Sequence, residues 1–207
     1  MWNRIIVTDR NRGVYGALVQ EQLRQRRVLF HETLGWDIPR SEHIEQDQYD
    51  RAETVYVIVE REGQVEGYAR LMPTTAVVQY GKAEFSYLTR DATLGLLPGI
   101  PAHILGGKTA PQAKEVWEVS RVEASGKTAL TELFLAIGEY LKGEEAEELI
   151  TFTRKNFDRI VRGLGFDASV IGEPVQYGGK PYCAISMSLG NHAPVRPVEA
   201  PPMRLVG

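Results

Sequence analysis

The stretch TVYVIVEREGQVEGYARLMPT, residues 54–74, decides the fold. Two alternating apolar runs flank the turn REGQ (61–64), which reads as a β-hairpin whose second strand ends before Pro73. Upstream, NRIIV (3–7) predicts a short strand and residues from about Arg12 to His31 an amphipathic helix. Residues 32–52 read as a polar irregular loop containing Pro39. Downstream, residues 73–114 are broken by Gly and Pro and predict one strand and a short helix at most. KEVWEVSRVEA (114–124) reads as a strand, KTALTELFLAIGEYLKG (127–143) as a helix closed by Gly143, and ELITFT (148–153) as a strand. KNFDRIVRGLGF (155–166) predicts a helix and PYCAISMSL (181–189) a last buried strand. An antiparallel hairpin within alternating strands and helices predicts an α/β fold with a mixed sheet, one domain over 1–189. Residues 190–207 hold four of the eleven prolines and read as a Pro-rich C-terminal tail.

Composition narrows the function. The 207 residues are 43% hydrophobic and 25% charged with net charge −3, so no global basic field points to nucleic acid. The one cysteine, Cys183, excludes an intramolecular disulfide and a multi-cysteine zinc site, and the four histidines lack metal-ligand spacing. No metal is therefore expected. No run approaches the ~18 apolar residues of a membrane span, so a cytoplasmic protein without membrane insertion is the expectation. GGKT (106–109) and SGKT (125–128) resemble the end of a phosphate-binding loop. The glycine that the loop needs five residues earlier is Ala102 in one and Arg121 in the other.

Charged residues stand where a core is expected. Val19, Leu23 and Phe30 make one helical face, and Arg26 occupies the position between Leu23 and Phe30. Strand alternation puts Arg70 beside Tyr68 and Met72, and Glu118 on the face opposite Arg121 unless a bulge re-aims one of them. Buried arginines need acceptors, and Asp47, Asp50 and Glu118 can supply them. The pattern fits an ion-pair network pinning the 32–52 loop to the sheet. It equally fits a pocket for a charged or zwitterionic small molecule walled by Phe30 and Trp36, and the two readings are compatible.

In this order and spacing the residues resemble the acyl-homoserine-lactone synthases, the LuxI-type autoinducer synthases. The resemblance rests on Arg26, Phe30 and Trp36, on Asp47 and Asp50 in DQYD, on Arg70 in GYARLMPT, and on Glu118 and Arg121 in WEVSR. It runs from about residue 4 to 166, departing at Val122, where an aromatic often follows the Ser-Arg pair. It implies a GNAT-like acyltransferase fold, a twisted mixed sheet flanked by helices and splayed into a V-shaped cleft. It also implies transfer of an acyl group from acyl carrier protein or acyl-CoA to the amine of S-adenosylmethionine. Lactonisation then releases methylthioadenosine and leaves a quorum-sensing signal. S-adenosylmethionine is a substrate, and no cofactor is implied.

Such chemistry needs a base for the substrate ammonium, and Glu118 is the candidate, with Arg121 ordering it. Arg26, Phe30, Trp36, Asp47, Asp50 and Arg70 are the candidate S-adenosylmethionine residues, with Arg26 meeting either the substrate carboxylate or the loop that does. Leu133, Phe134 and Ile137 on the helix, with Thr153, are the candidate acyl pocket. Arg154, Lys155, Arg159 and Arg162 form a basic cluster on the helix that follows, suited to an acidic carrier protein or to coenzyme A phosphates. An N-acyltransferase for another amine would explain Glu118 but not the loop carboxylates. A ligand-binding domain without turnover on the same scaffold is the other alternative.

Overall fold

A computed structural model describes residues 1–36 and 41–190; Pro39 and all of the Pro-rich tail but Gly190 lie outside them. The chain runs β1 (Asn3–Val7), α1 (Gly16–Arg26), a π-helical turn (Arg27–Thr33), β2 (Val55–Arg61) and β3 (Gln64–Pro73). It continues through β4 (Val78–Tyr80), β5 (Ala83–Phe85), α2 (Leu88–Thr93), β6 (Val116–Ala124) and α3 (Lys127–Gly143). It ends in β7 (Glu148–Arg154), α4 (Phe157–Gly163), β8 (Asp167–Tyr177) and β9 (Lys180–Ser188). Seven strands form one sheet in the order β1-β2-β3-β6-β7-β9-β8, while β4 and β5 make a separate ribbon. Every neighbouring pair in the large sheet is antiparallel except β6 and β7, so the sheet is mixed as expected.

The hairpin lies where the sequence puts it, its turn made by Glu62 and Gly63 with φ of 55° and 82°. Positive φ at both central residues matches the right-handed twist of the flanking strands. The period of two then sorts the side chains. Val55, Val57, Val59, Ala69, Leu71, Trp117 and Val119 face one side and pack under α3 and α4. On the other side Tyr56, Ile58 and Tyr68 pack under α1, while Met72, Val116 and Ile150 pack under the 74–110 segment. One face is thus closed by two helices. The other has two separate covers with a gap between them, and the site lies in that gap.

Several expected boundaries move. The first helix is shorter, Gly16–Arg26, and passes into the π-helical turn, where Leu34 N–H reaches the Leu29 carbonyl at 2.9 Å. The widened turn and Gly35 at φ 68° swing Trp36 back, and its N–H donates to the Phe30 carbonyl at 2.9 Å. Gly143 is the last residue of α3, not its stop; the left-handed residue is Glu145 at φ 56°. Cys183 is buried in the core beneath α3, as its apolar neighbours suggested.

β8 was not expected, because Gly172 and Pro174 interrupt its pattern. A register shift between Ile171 and Val175 absorbs the interruption. There Gly172, at φ 69°, lies against Gly106 of the 94–110 segment, and a Cβ on Gly172 would stand 2.6 Å from the Gly106 nitrogen. This contact fixes the segment that carries Leu97 and Ile100 to the sheet. Gly172→Ala is expected to cost about 1–3 kcal/mol through backbone clash and positive φ. Thermal denaturation checks it: Tm falls by several degrees, whereas an unchanged Tm means the approach is not tight.

Candidate active site

The site begins with the ion pairs. Arg26 on α1 is fully enclosed, at 0% exposure. Its guanidinium donates to Glu45 and, through Nη1 and Nη2, to the two oxygens of Asp50 at 2.7 and 2.9 Å. Arg70 on β3 donates from Nη1 to Asp47 at 2.6 Å and from Nε to the Ser120 hydroxyl at 3.1 Å. Arg121 on β6 reaches Glu45 at 2.9 Å and Asp47 at 3.0 Å through Nη2. Three arginines therefore face three carboxylates, and the polar loop is stitched to α1, β3 and β6 at once. Burial opposes ionisation of Asp50, but Arg70 and Arg26 hold its carboxyl well below the usual range. Arg121 and Arg26 likewise outweigh burial at Glu45.

Arg121 joins this face because β6 bulges. Arg70 pairs with Ser120 but Tyr68 pairs with Glu123, so two residues of β6, Arg121 and Val122, stand opposite Ala69 alone. Arg121 takes φ 53°, which turns its side chain toward the loop. Its guanidinium carbon lies 5.1 Å from the Phe30 ring centre and 5.9 Å from that of Trp36. The two rings stack at 5.0 Å.

Beside the network opens a cavity of about 970 Å³, large enough for a substrate of cofactor size. Of the residues assigned to the charged substrate, Phe30, Trp36, Asp47 and Asp50 line it, while Arg26 and Arg70 do not; Arg121, assigned to order Glu118, lines it as well. Arg26 spends its donors on the loop carboxylates Glu45 and Asp50 and so ties the loop to α1. Arg70 Nη2 is buried with no partner among the described residues.

The cavity passes into the sheet where β6 and β7 part. Their pairing ends at Glu118 and Ile150, and beyond it Ser120 and Val122 face Thr151, Phe152 and Thr153 across the opening. Thr153 lines the cavity. Leu133, Phe134 and Ile137 do not: all three are fully buried between α3 and the closed face of the sheet. Phe134 stands one layer back, its ring 6.1 Å from Phe157, which does line the cavity. The apolar walls come instead from Phe85, Leu88, Leu96, Leu97 and Ile100, in the stretch that the sequence left unread, and from Phe152, Tyr177 and Tyr182.

Glu118 lies beneath this surface, 2% exposed. Its Oε1 accepts from the Thr89 N–H at 2.7 Å and the Thr89 hydroxyl at 2.6 Å, and Oε2 from the Leu88 N–H at 3.0 Å. Burial pushes its carboxyl above the usual range, against the pull of these bonds and of Arg70. Of the basic cluster, Arg154 ends β7 and Lys155 precedes α4, so only Arg159 and Arg162 are helical. All four are exposed, and Arg162 is paired with Asp158. Among the described residues no cluster of His, Cys, Asp or Glu could hold a metal, and no helix is long and apolar enough to cross a membrane.

A mixed sheet whose single parallel pair opens into a V above a polar floor is the arrangement of a GNAT-like acyltransferase. Residues 12–96 match the family model described as autoinducer synthase. The acyl-homoserine-lactone synthase of Ralstonia solanacearum is 32% identical over 171 residues, covering 77% of this chain and 76% of that protein. The one from Acinetobacter nosocomialis is 30% identical, covering 74% and 82%. The crystal structure of TofI in a ternary complex with an inhibitor and MTA superposes with a TM-score of 0.72 at 28% identity, covering 90% of this chain and 91% of that one. The chain belongs to the acyl-homoserine-lactone synthase family of acyltransferases.

Proposed function

We propose that the protein acylates the α-amine of S-adenosylmethionine with an acyl thioester and closes the product to an acyl-homoserine lactone. The observation that carries this is the pairing of the arginine–carboxylate floor with the aromatic pair Phe30 and Trp36 on one cavity that continues into the β6/β7 opening. Asp47 accepts the substrate ammonium, and Phe30 and Trp36 enclose the sulfonium or adenosyl part, with cation–π attraction of ~0.5–2 kcal/mol if a ring faces the sulfonium. Glu118 takes a proton from the ammonium, through one water because it lies below the cavity surface. The neutral amine attacks the thioester carbonyl, and peptide N–H groups of β6 past Glu118, where β7 has left, are placed to meet the oxyanion. Collapse forms the amide and expels the thiolate, which takes up a proton. The substrate's carboxylate oxygen then attacks the carbon next to the sulfonium. The C–S bond breaks with its electrons on sulfur, releasing neutral methylthioadenosine.

The acyl chain occupies the β6/β7 opening beside Thr153 and Phe152, with Phe157 at its inner end. The exposed Arg154, Lys155 and Arg159 meet an acidic acyl carrier protein or the phosphates of coenzyme A, in the cytoplasm where both donors occur. Mass spectrometry of the purified protein with S-adenosylmethionine and a panel of acyl-CoA and acyl-carrier thioesters tests the reading. Lactone, methylthioadenosine and free thiol are expected in equal amounts. Thiol release without methylthioadenosine would assign the site to another amine.

A further inference from the structure

We propose that Thr89 is a positioning residue for Glu118, directing the proton to Oε2 and setting the carboxylate's basicity; this rests on Glu118 being the base. Among the described residues, all three hydrogen bonds given to the Glu118 carboxylate come from the Leu88–Thr89 dipeptide, and two of them, from the Thr89 N–H and hydroxyl, converge on Oε1. A carboxylate oxygen has two lone-pair positions, so Oε1 is filled. Among the described residues Oε2 accepts only from the Leu88 N–H, which leaves it one open position. The proton must therefore arrive at Oε2. Thr89 is itself fully buried, so its hydroxyl has no water competing for it.

The dipeptide is anchored in turn to the substrate loop. Asp91, at 0% exposure, accepts from the Ser86 N–H at 2.9 Å and from the Tyr49 hydroxyl at 2.9 Å. Tyr49 lies in the loop between Asp47 and Asp50 and packs its ring 5.3 Å from the Arg70 guanidinium. The same short segment thus holds Glu118 from one side and, through Tyr49, the loop from the other. Sequence gave no sign of it, since Thr89 and Asp91 sit in SYLTRDAT with no periodic neighbour.

The groups facing Glu118 are Arg70 from β3, Tyr49 from the loop, and Tyr87 at the start of α2, with Asp91 behind Tyr49. Burial raises both phenols, and Arg70 stays charged. Glu118 is then the group that titrates on the acid side of the rate profile, with Asp91 the other raised carboxyl nearby.

A hydrogen bond to the charged form holds a carboxyl pKa down. Removing the Thr89 hydroxyl while keeping its shape, in Thr89→Val, is expected to move the acid limb of kcat/KM upward by about one pH unit or more. On the acid side of that limb the rate falls roughly tenfold, and it recovers once the pH passes the shifted limb, with KM for the acyl donor unchanged. Thr89→Ser keeps the hydroxyl and is expected to keep the wild-type limb, while Asp91 loses no contact in either variant. Should the valine variant not fold, Thr89→Ala is put to the same profile, with circular dichroism confirming its fold.

A fall at every pH without a shifted limb, or a serine variant that shifts like the valine one, overturns the proposal. Glu118→Gln separates the two levels. If it keeps its activity and acid limb, the base assignment has failed. If it is inactive while Thr89→Val keeps the wild-type limb, only the role of Thr89 has failed.

Discussion

Arg26→Met loses about 3–5 kcal/mol of folding stability in urea denaturation, a large part of what a domain of this kind has. Methionine fills much of the same volume, so the loss is electrical rather than a cavity. The arginine gives three hydrogen bonds to Glu45 and Asp50, both nearly or wholly enclosed, and after the change the network holds three carboxylates and two guanidiniums. Arg70 and Arg121 still reach the carboxylates, which is why the loss is several kcal/mol and not the full cost of an isolated buried charge. The double variant Arg26→Met, Glu45→Gln restores the charge balance and is expected to recover part of the loss, giving a measurable coupling energy. Glu45 and Asp50 have lowered pKa values when folded, so their pairing stabilises fully above the unfolded carboxylate range and is lost as pH falls from that range down through their lower folded values. The gap between wild type and Arg26→Met therefore narrows below about pH 4. A variant as stable as the wild type at neutral pH would mean that Arg26 contributes no net pairing energy.

The parts of this site legible in the sequence are those where a charge interrupts a periodic pattern. Arg26 breaks a helical stripe, and Arg70 and Glu118 break strand alternation, so each announces a buried partner. Glu45 does not: it lies in HIEQDQYDR, where all but Ile44 and Tyr49 are polar and no apolar pattern exists to violate. Yet it is fully buried and bridges Arg26 to Arg121. The bulge that re-aims Arg121 was foreseeable as a condition, but its place at Arg121 and Val122 depends on the β3 pairing partner. The acyl-pocket assignment failed for a related reason. The apolar face of α3 says that the helix covers a sheet, not which face it covers, and Leu133, Phe134 and Ile137 took the closed one. The opposite cover, residues 74–110, is punctuated by Gly and Pro, and its order comes from tertiary contacts such as that between Gly106 and Gly172.

Glu118→Gln keeps the fold and lowers kcat by a factor on the order of 10²–10⁴, the usual contribution of a general base. Stability changes little because two effects oppose. The neutral amide escapes the desolvation that raises the carboxyl pKa. Its oxygen can replace Oε1 and accept both Thr89 bonds, but its NH₂ then faces the Leu88 N–H, a donor against a donor. With the ionised Glu118 carboxylate as the proposed base, kcat/KM of the wild type is expected to rise with pH through the Glu118 pKa, which burial raises above the usual carboxylate range. The variant has no such group. Its residual rate is expected to follow the free-amine fraction of the substrate and climb steadily toward the amine pKa. KM for the acyl donor, which is proposed to bind along the β6/β7 opening, should not move. Steady-state release of methylthioadenosine and thiol between pH 5 and 10 reads all three quantities, and an acid limb retained in Glu118→Gln would transfer the base role to another group, with Asp47 on the cavity wall the first to test.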